Sequence, residues 1–133
     1  MANLTYAAQR ASALVITILI ERLNRHDAPG YFLRTTDQAR DIILAVGAPN
    51  LNLMFDCYHI GRTEGDIITR FRNMPIIGHV QLASVPDRGP PDHGKMHFPT
   101  IFAAIAAAGR AAPLGAEYKP KGPTAASLGW MAR

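Results

Sequence analysis

"LNLMFDCYHIGRTEGD", residues 51 to 66, sets apolar Leu51, Leu53 and Phe55 alternately with Asn52, Met54 and Asp56, then breaks into Tyr58-His59-Ile60-Gly61. Alternation with a period of two is the signature of a strand. The stretch predicts a strand over 51–56 that drives toward a core, ends on a carboxylate and leaves through a turn carrying His59. A single acid in that place caps a loop as readily as it does chemistry. Its meaning depends on how the other strands end.

Outward from this stretch the chain alternates strands with helices. "LTYAAQRAS" (4–12) reads as the end of a helix, and "LVITILIE" (14–21) as a strand buried on both faces. Thr35 with Gln38 is a capping-box pattern opening the helix "DQARDIILAV", which stops at Gly47. Thr63 with Asp66 is a second such pattern, opening "GDIITRFRNM". "IIGHVQLAS" (76–84) reads as the third strand. Pro99 suits the first turn of "PTIFAAIAAA", which stops at Gly109. "LGAEYKP" (114–120) reads as a short fourth strand and "TAASLGWMA" as a final helical turn. Strands separated by helices make βαβ units, so the fold class is α/β with a parallel sheet and right-handed crossovers.

The 133 residues suffice for one domain, taken as 1–133. Apolar residues make up 48% and charged residues 18%, a globular balance rather than a disordered one. Cys57 is the single cysteine, so no internal disulfide is possible and a reducing, cytoplasmic setting is expected. The apolar run 13–20 is far too short to span a membrane. A net charge of +4 suits anionic small molecules as well as nucleic acid. The arginines form no basic run longer than two residues and no stacking platform accompanies them, so nucleic-acid binding is not expected.

The strand ends repeat the opening motif. The first ends in Glu21, the second in Asp56 and the fourth in Glu117, while Gln81 lies near the end of the third, on the same face as His79. In a parallel α/β sheet these ends share one edge, the edge where ligands bind. Three carboxylates meeting there would raise one another's pKa values, and a divalent cation removes the repulsion. Three carboxylates and an amide oxygen are hard ligands, which favours Mg²⁺ or Mn²⁺.

At these same residues, "ILIERLNRHDAPGYFL", "NLNLMFDCYHIGRTEGD", "IGHVQLASVPDRGPPDHG" and "GAEYKPKGPTAASLGW" resemble the hydroxypyruvate isomerase and 2-oxo-tetronate isomerase family of xylose-isomerase-like TIM barrels. The resemblance covers nearly the whole chain. It implies a metal held by Glu21, Asp56, Gln81 and Glu117, with the two glutamates as the proton-transferring pair. It further implies substrate contacts from Asp27, His59 and Arg88. Lys119, two residues past Glu117, is expected to face the same side of its strand and to join them in binding the substrate carboxylate. His79 is expected inside the barrel wall and not as a ligand. The activity implied is metal-dependent interconversion of hydroxypyruvate and 2-hydroxy-3-oxopropanoate, or of a related short oxo-acid. A ketose 3-epimerase is the nearest alternative, and the amide at Gln81, where epimerases carry histidine, argues against it.

Three features depart from that pattern. A TIM barrel takes about 250 residues, and this chain matches only four of the eight βα units, strands five to eight. A half-barrel leaves both sheet edges open, so a homo-oligomer, or pairing with an absent N-terminal half, is expected. Arg22 stands where the family commonly has proline, and Lys95 where it often has glutamate. From another class, the competing reading is a catalytically incomplete half-barrel, either a structural or interaction subunit or a fragment of a longer parent.

Overall fold

The structure, a computed structural model, describes residues 1–132. In chain order the elements are α1 (Ala2–Ser12), β1 (Ile18–Glu21), α2 (Thr36–Val46), β2 (Leu51–Asp56), α3 (Cys57–Thr63), α4 (Ile67–Arg72), β3 (Ile77–Leu82), α5 (Phe98–Ala107) and β4 (Gly115–Ala116). A 3₁₀ segment over Thr124–Ala132 follows. The four strands lie side by side in chain order, every neighbouring pair parallel. This is the expected α/β sheet of consecutive βα units.

One face of the sheet carries the core. Leu51, Leu53 and Phe55 of β2, with Val80 and Leu82 of β3, pack on Ala39 and Ile43 of α2, Phe71 of α4 and Ile101 and Ile105 of α5. Phe55 meets Phe71 edge to face, ring centroids 5.5 Å apart, a geometry that the ring quadrupoles favour. By strand alternation and register, the other face presents Leu19, Glu21, Asn52, Met54, Asp56, His79 and Gln81. His79 is half-buried there and not fully enclosed. Leu53 opposes Ile77 and Met54 opposes His79, so Gly78 is an extra residue in β3. That bulge restores the alternation that brings Gln81 beside Asp56.

Helix starts and stops follow local chemistry. The Thr35 side chain accepts from the Gln38 N–H, and Gly47 closes α2 in the left-handed conformation at φ 67°. Pro99 lies in the first turn of α5, as expected.

Several expectations are corrected. No strand runs over 14–17: α1 ends at Ser12, and Val15 turns the chain at φ 57° with 95% of its surface exposed. Residues 58–61 are helix rather than turn, because Asp56 caps α3 immediately after β2. Thr63 therefore ends α3 instead of capping α4, and Asp66 itself caps α4, accepting from the Thr69 N–H. The fourth strand is also shorter than expected, only Gly115–Ala116.

Candidate active site

The ends of β1, β2 and β3 build the site. Asp56, the last residue of β2, spends Oδ1 on the N–H groups of Tyr58 (2.7 Å) and His59 (3.3 Å). That cap rotates Oδ2 away from the helix, and one turn of α3 swings His59 back over the strand end. His59 Nε2 lies 3.7 Å from Glu21 Oε1 and 3.8 Å from Asp56 Oδ2. Single ligand atoms of Glu21, Asp56 and His59 all fall within 4.8 Å of one another. Gln81 pairs with Asp56 across the β2–β3 ladder.

Buried polar atoms normally find partners. Here Glu21 Oε1, Asp56 Oδ2, Gln81 Oε1 and His59 Nε2 are all buried with no hydrogen-bond partner among the described residues. Three of the four are oxygen acceptors. Such a set fits a hard divalent cation, which offers to several oxygens at once what no single donor here provides.

The charges are correspondingly strained. Burial, together with the nearby charges of Asp56 and Glu117, pushes Glu21 up to about 7. Burial raises Asp56 as well, against the two N–H groups that hold its charged form. His59 is pushed down to about 4 by burial and by the cations Arg88 and Arg22, so the ring is neutral near pH 7.

The remaining expected residues surround this centre. Asp27 Oδ2 accepts from the Tyr58 hydroxyl (2.7 Å) and from Asn24 Nδ2 (2.9 Å). Burial lifts Asp27, but these hydrogen bonds outweigh it and hold the carboxyl below its ordinary range. Burial and the same contact push the Tyr58 phenol up to about 12. Arg88, in the left-handed region at φ 55°, sits over the Tyr58 ring at 5.1 Å and pairs with Glu117 at 2.9 Å. Glu117 is 52% exposed and lies just beyond β4. The Lys119 N–H donates to the Arg88 carbonyl, while its side chain is exposed and makes no ion pair among the described residues. Geometry thus gathers Glu21, Asp56 and His59 tightly, sets Gln81 beside Asp56 on the next strand, keeps Asp27 and the Arg88–Glu117 pair around them, and leaves Lys119 at the periphery.

One contributor was not foreseen. Asn24 is wholly buried and contacts His59, Asp27 and the loop backbone at once. An Asn three residues before an Asp in a polar loop was the available signal, because Asx side chains organise such turns. Arg22 turns away from the site into a buried pair with Glu64 (2.8 Å) and a hydrogen bond to the Thr63 hydroxyl (2.6 Å). The arginine in place of proline therefore does not crowd the centre. Lys95 is exposed on the loop before α5.

A family model described as "Xylose isomerase-like TIM barrel" matches residues 1–133. The 2-oxo-tetronate isomerase of Cupriavidus necator is 43% identical over 130 residues, covering 97% of this chain and 50% of the relative. The hydroxypyruvate isomerase of Escherichia coli K12 is 39% identical over 130 residues, with the same coverage of each. Among solved structures, one described as AP endonuclease, family 2, from Brucella melitensis superposes with a TM-score of 0.94 at 36% identity, over 98% of this chain and 51% of that one. The chain spans about half the length of the curated relatives it matches. Within that half the likeness is continuous.

Proposed function

The chain belongs to the xylose isomerase-like TIM barrel family, and from that premise we propose that it carries the metal-holding half of an isomerase acting on hydroxypyruvate or a related short oxo-acid. One observation carries the reading: buried acceptor oxygens of Glu21, Asp56 and Gln81 at three neighbouring strand ends, none with a partner among the described residues. A divalent cation, Mg²⁺ or Mn²⁺, held by these three with Glu117 as a fourth ligand, would supply Lewis-acid polarisation of the substrate carbonyl.

The residues of the chain supply the rest. In hydroxypyruvate, one of the two glutamates, Glu21 or Glu117, takes a proton from C3. The C3 hydroxyl proton passes to the C2 oxygen, and the other glutamate returns a proton to C2, giving 2-hydroxy-3-oxopropanoate. Proton transfer to and from carbon needs a carboxyl within reach of it, and Glu21 stands at the strand end beside His59, at the centre of the site. His59, neutral and aimed at the centre, and Arg88, beside Glu117, provide donors for substrate oxygens. Asp27, tied to Tyr58, offers an acceptor for a substrate hydroxyl, and Lys119 adds a peripheral positive charge. The reaction needs no redox cofactor, and a buried Cys57 whose thiol is pushed up by burial suits a structural role in the cytoplasm.

Proton NMR of hydroxypyruvate in D₂O, with the protein and Mg²⁺, tests the proposal. Loss of the C3 proton signals above a no-protein control, abolished by chelator, is the expected result. Metal binding with no exchange would favour the other reading, a half-barrel that keeps its ligands but serves as a structural or interaction subunit. The open inner face of the sheet is what makes that reading worth testing.

A further inference from the structure

We propose that Asn24 is a positioning residue that fixes His59 with its proton on Nε2, so that His59 meets substrate as a hydrogen-bond donor and takes no part in holding the cation. The proposal deepens the functional reading above and depends on it only for what the donor acts upon. The tautomer itself follows from the hydrogen bonds.

The Asn24 side chain has one orientation open to it. Its Oδ1 accepts from the backbone N–H groups of His26 and Asp27, each at 3.0 Å. Two N–H donors cannot face an NH₂ group, so the oxygen end of the amide is settled. The NH₂ group is left with two hydrogens and two acceptors: Asp27 Oδ2 at 2.9 Å and His59 Nδ1 at 2.8 Å. The backbone N–H of Asn24 also points at His59 Nδ1, at 3.1 Å.

Two donors therefore converge on one ring nitrogen. Nδ1 must present its lone pair and cannot carry a proton. In a neutral imidazole the proton then sits on Nε2. That nitrogen is buried, has no hydrogen-bond partner among the described residues, and faces Glu21 Oε1 and Asp56 Oδ2 from 3.7 and 3.8 Å. A histidine ligates a metal through a bare nitrogen. Nε2 could ligate only by losing its proton while Nδ1 is already bare, which would make the ring an anion. The compact Glu21–Asp56–His59 group is thus two oxygen ligands and one donor, and Gln81 supplies the next oxygen. The N–H of His59 remains free for an oxygen that becomes negative during proton transfer.

Long-range ¹H–¹⁵N correlation on the full chain, with ¹⁵N-labelled histidine at neutral pH, reads the tautomer directly. The His59 signals are assigned by their loss in His59→Gln. The expected spectrum shows an unprotonated Nδ1 and a protonated Nε2, unchanged when Mg²⁺ is added. A proton on Nδ1, or loss of the Nε2 proton on adding Mg²⁺, would overturn the proposal.

Asn24→Asp replaces the NH₂ donor with an acceptor. It is expected to move the proton toward Nδ1 or to charge the ring, and to lower kcat/KM by about 100-fold, as loss of a donor to a developing negative oxygen does, with Mg²⁺ affinity nearly kept. A folded Asn24→Asp with the wild-type ring spectrum would also overturn it. Should that variant fail to fold, the wild-type spectrum alone decides. If no oxo-acid were turned over, the functional reading would fail while the spectra still identified the tautomer.

Discussion

A carboxyl group that carries a proton near pH 7 has done so at the expense of stability. Glu21 is raised from 4.5 to about 7, first by burial and then by Asp56 and Glu117. Between those values the folded chain holds a proton that the unfolded chain has released. Metal-free stability therefore falls as pH rises from about 4.5 to about 7, then levels off. The loss is bounded at roughly 3 kcal/mol, because the side chain keeps 29% of its surface in water. Glu21→Gln is expected to raise the metal-free melting temperature at pH 8 and to leave it nearly unchanged at pH 4, while abolishing turnover. A Glu21→Gln melting temperature that differs from wild type by the same amount at pH 4 and pH 8 would show that the carboxyl is not strained. Arg22 poses the complementary case, a cation 1% exposed and paired with Glu64. Removing one partner of a buried pair costs about 3–5 kcal/mol. Arg70 and the Thr36 N–H still hold Glu64, so Arg22→Met should cost about 3 kcal/mol by urea denaturation. Turnover should survive, since Arg22 points away from the centre. A stable but inactive Arg22→Met would reverse that assignment.

At the scale of elements, what counts is how each strand hands the chain to the next helix. In β2 the alternation of Leu51, Leu53 and Phe55 gave the boundaries of the strand correctly, because a side buried against helices imposes a strict period. The helix after it was hidden. Tyr58-His59-Ile60-Gly61 has poor helix formers, and only the contact of Asp56 Oδ1 with two N–H groups makes α3 start at Cys57. The edge strands were misjudged for the opposite reason. Residues 14–17 and 117–120 are apolar or strand-like in composition, yet the neighbouring strands start at Leu51 and stop at Leu82, so the ladders run only from Ile18 and as far as Ala116, and composition does not report where a partner strand ends. Asp56, Gln81 and Glu21 were legible as strand-end residues, whereas Asn24 and Glu64 act through loop and helix geometry that spacing alone does not encode. Gly78 shows how finely the ladder is tuned. A Cβ there would meet Leu19 Cδ2 and lie 2.9 Å from Asn52 Cβ. Gly78→Ala should cost about 1–3 kcal/mol by overpacking and disturb Gln81 three residues on. A denaturation midpoint equal to wild type, with unchanged Mg²⁺ affinity, would show that the bulge yields freely.

The whole molecule leaves its working face open. Leu14, Val15, Ile16 and Phe32 are exposed near the β1 end of the sheet, and a groove of about 490 Å³ lined by Leu4, Leu19, Ile20, Tyr31, Phe32 and Ile42, among others, runs along that side. Exposed apolar surface of this kind marks association, and unpaired edges invite another strand. Parallel strands related by a two-fold axis along a barrel would join β4 of one copy to β1 of the next, and a separate first half would fill the same gap. The two consequences for function differ in kind. Glu21, Asp56 and Gln81 all lie within one chain, so Mg²⁺ binding should not depend on protein concentration. Turnover needs water kept from the substrate, so specific activity should rise with concentration, or on titrating in a polypeptide equivalent to the first half of a relative. Light scattering recorded over the same range should show the mass rising in step. Constant specific activity from a monodisperse monomer, unmoved by the added half, would mean that four βα units turn over substrate without a closed barrel, and the association argument would fail.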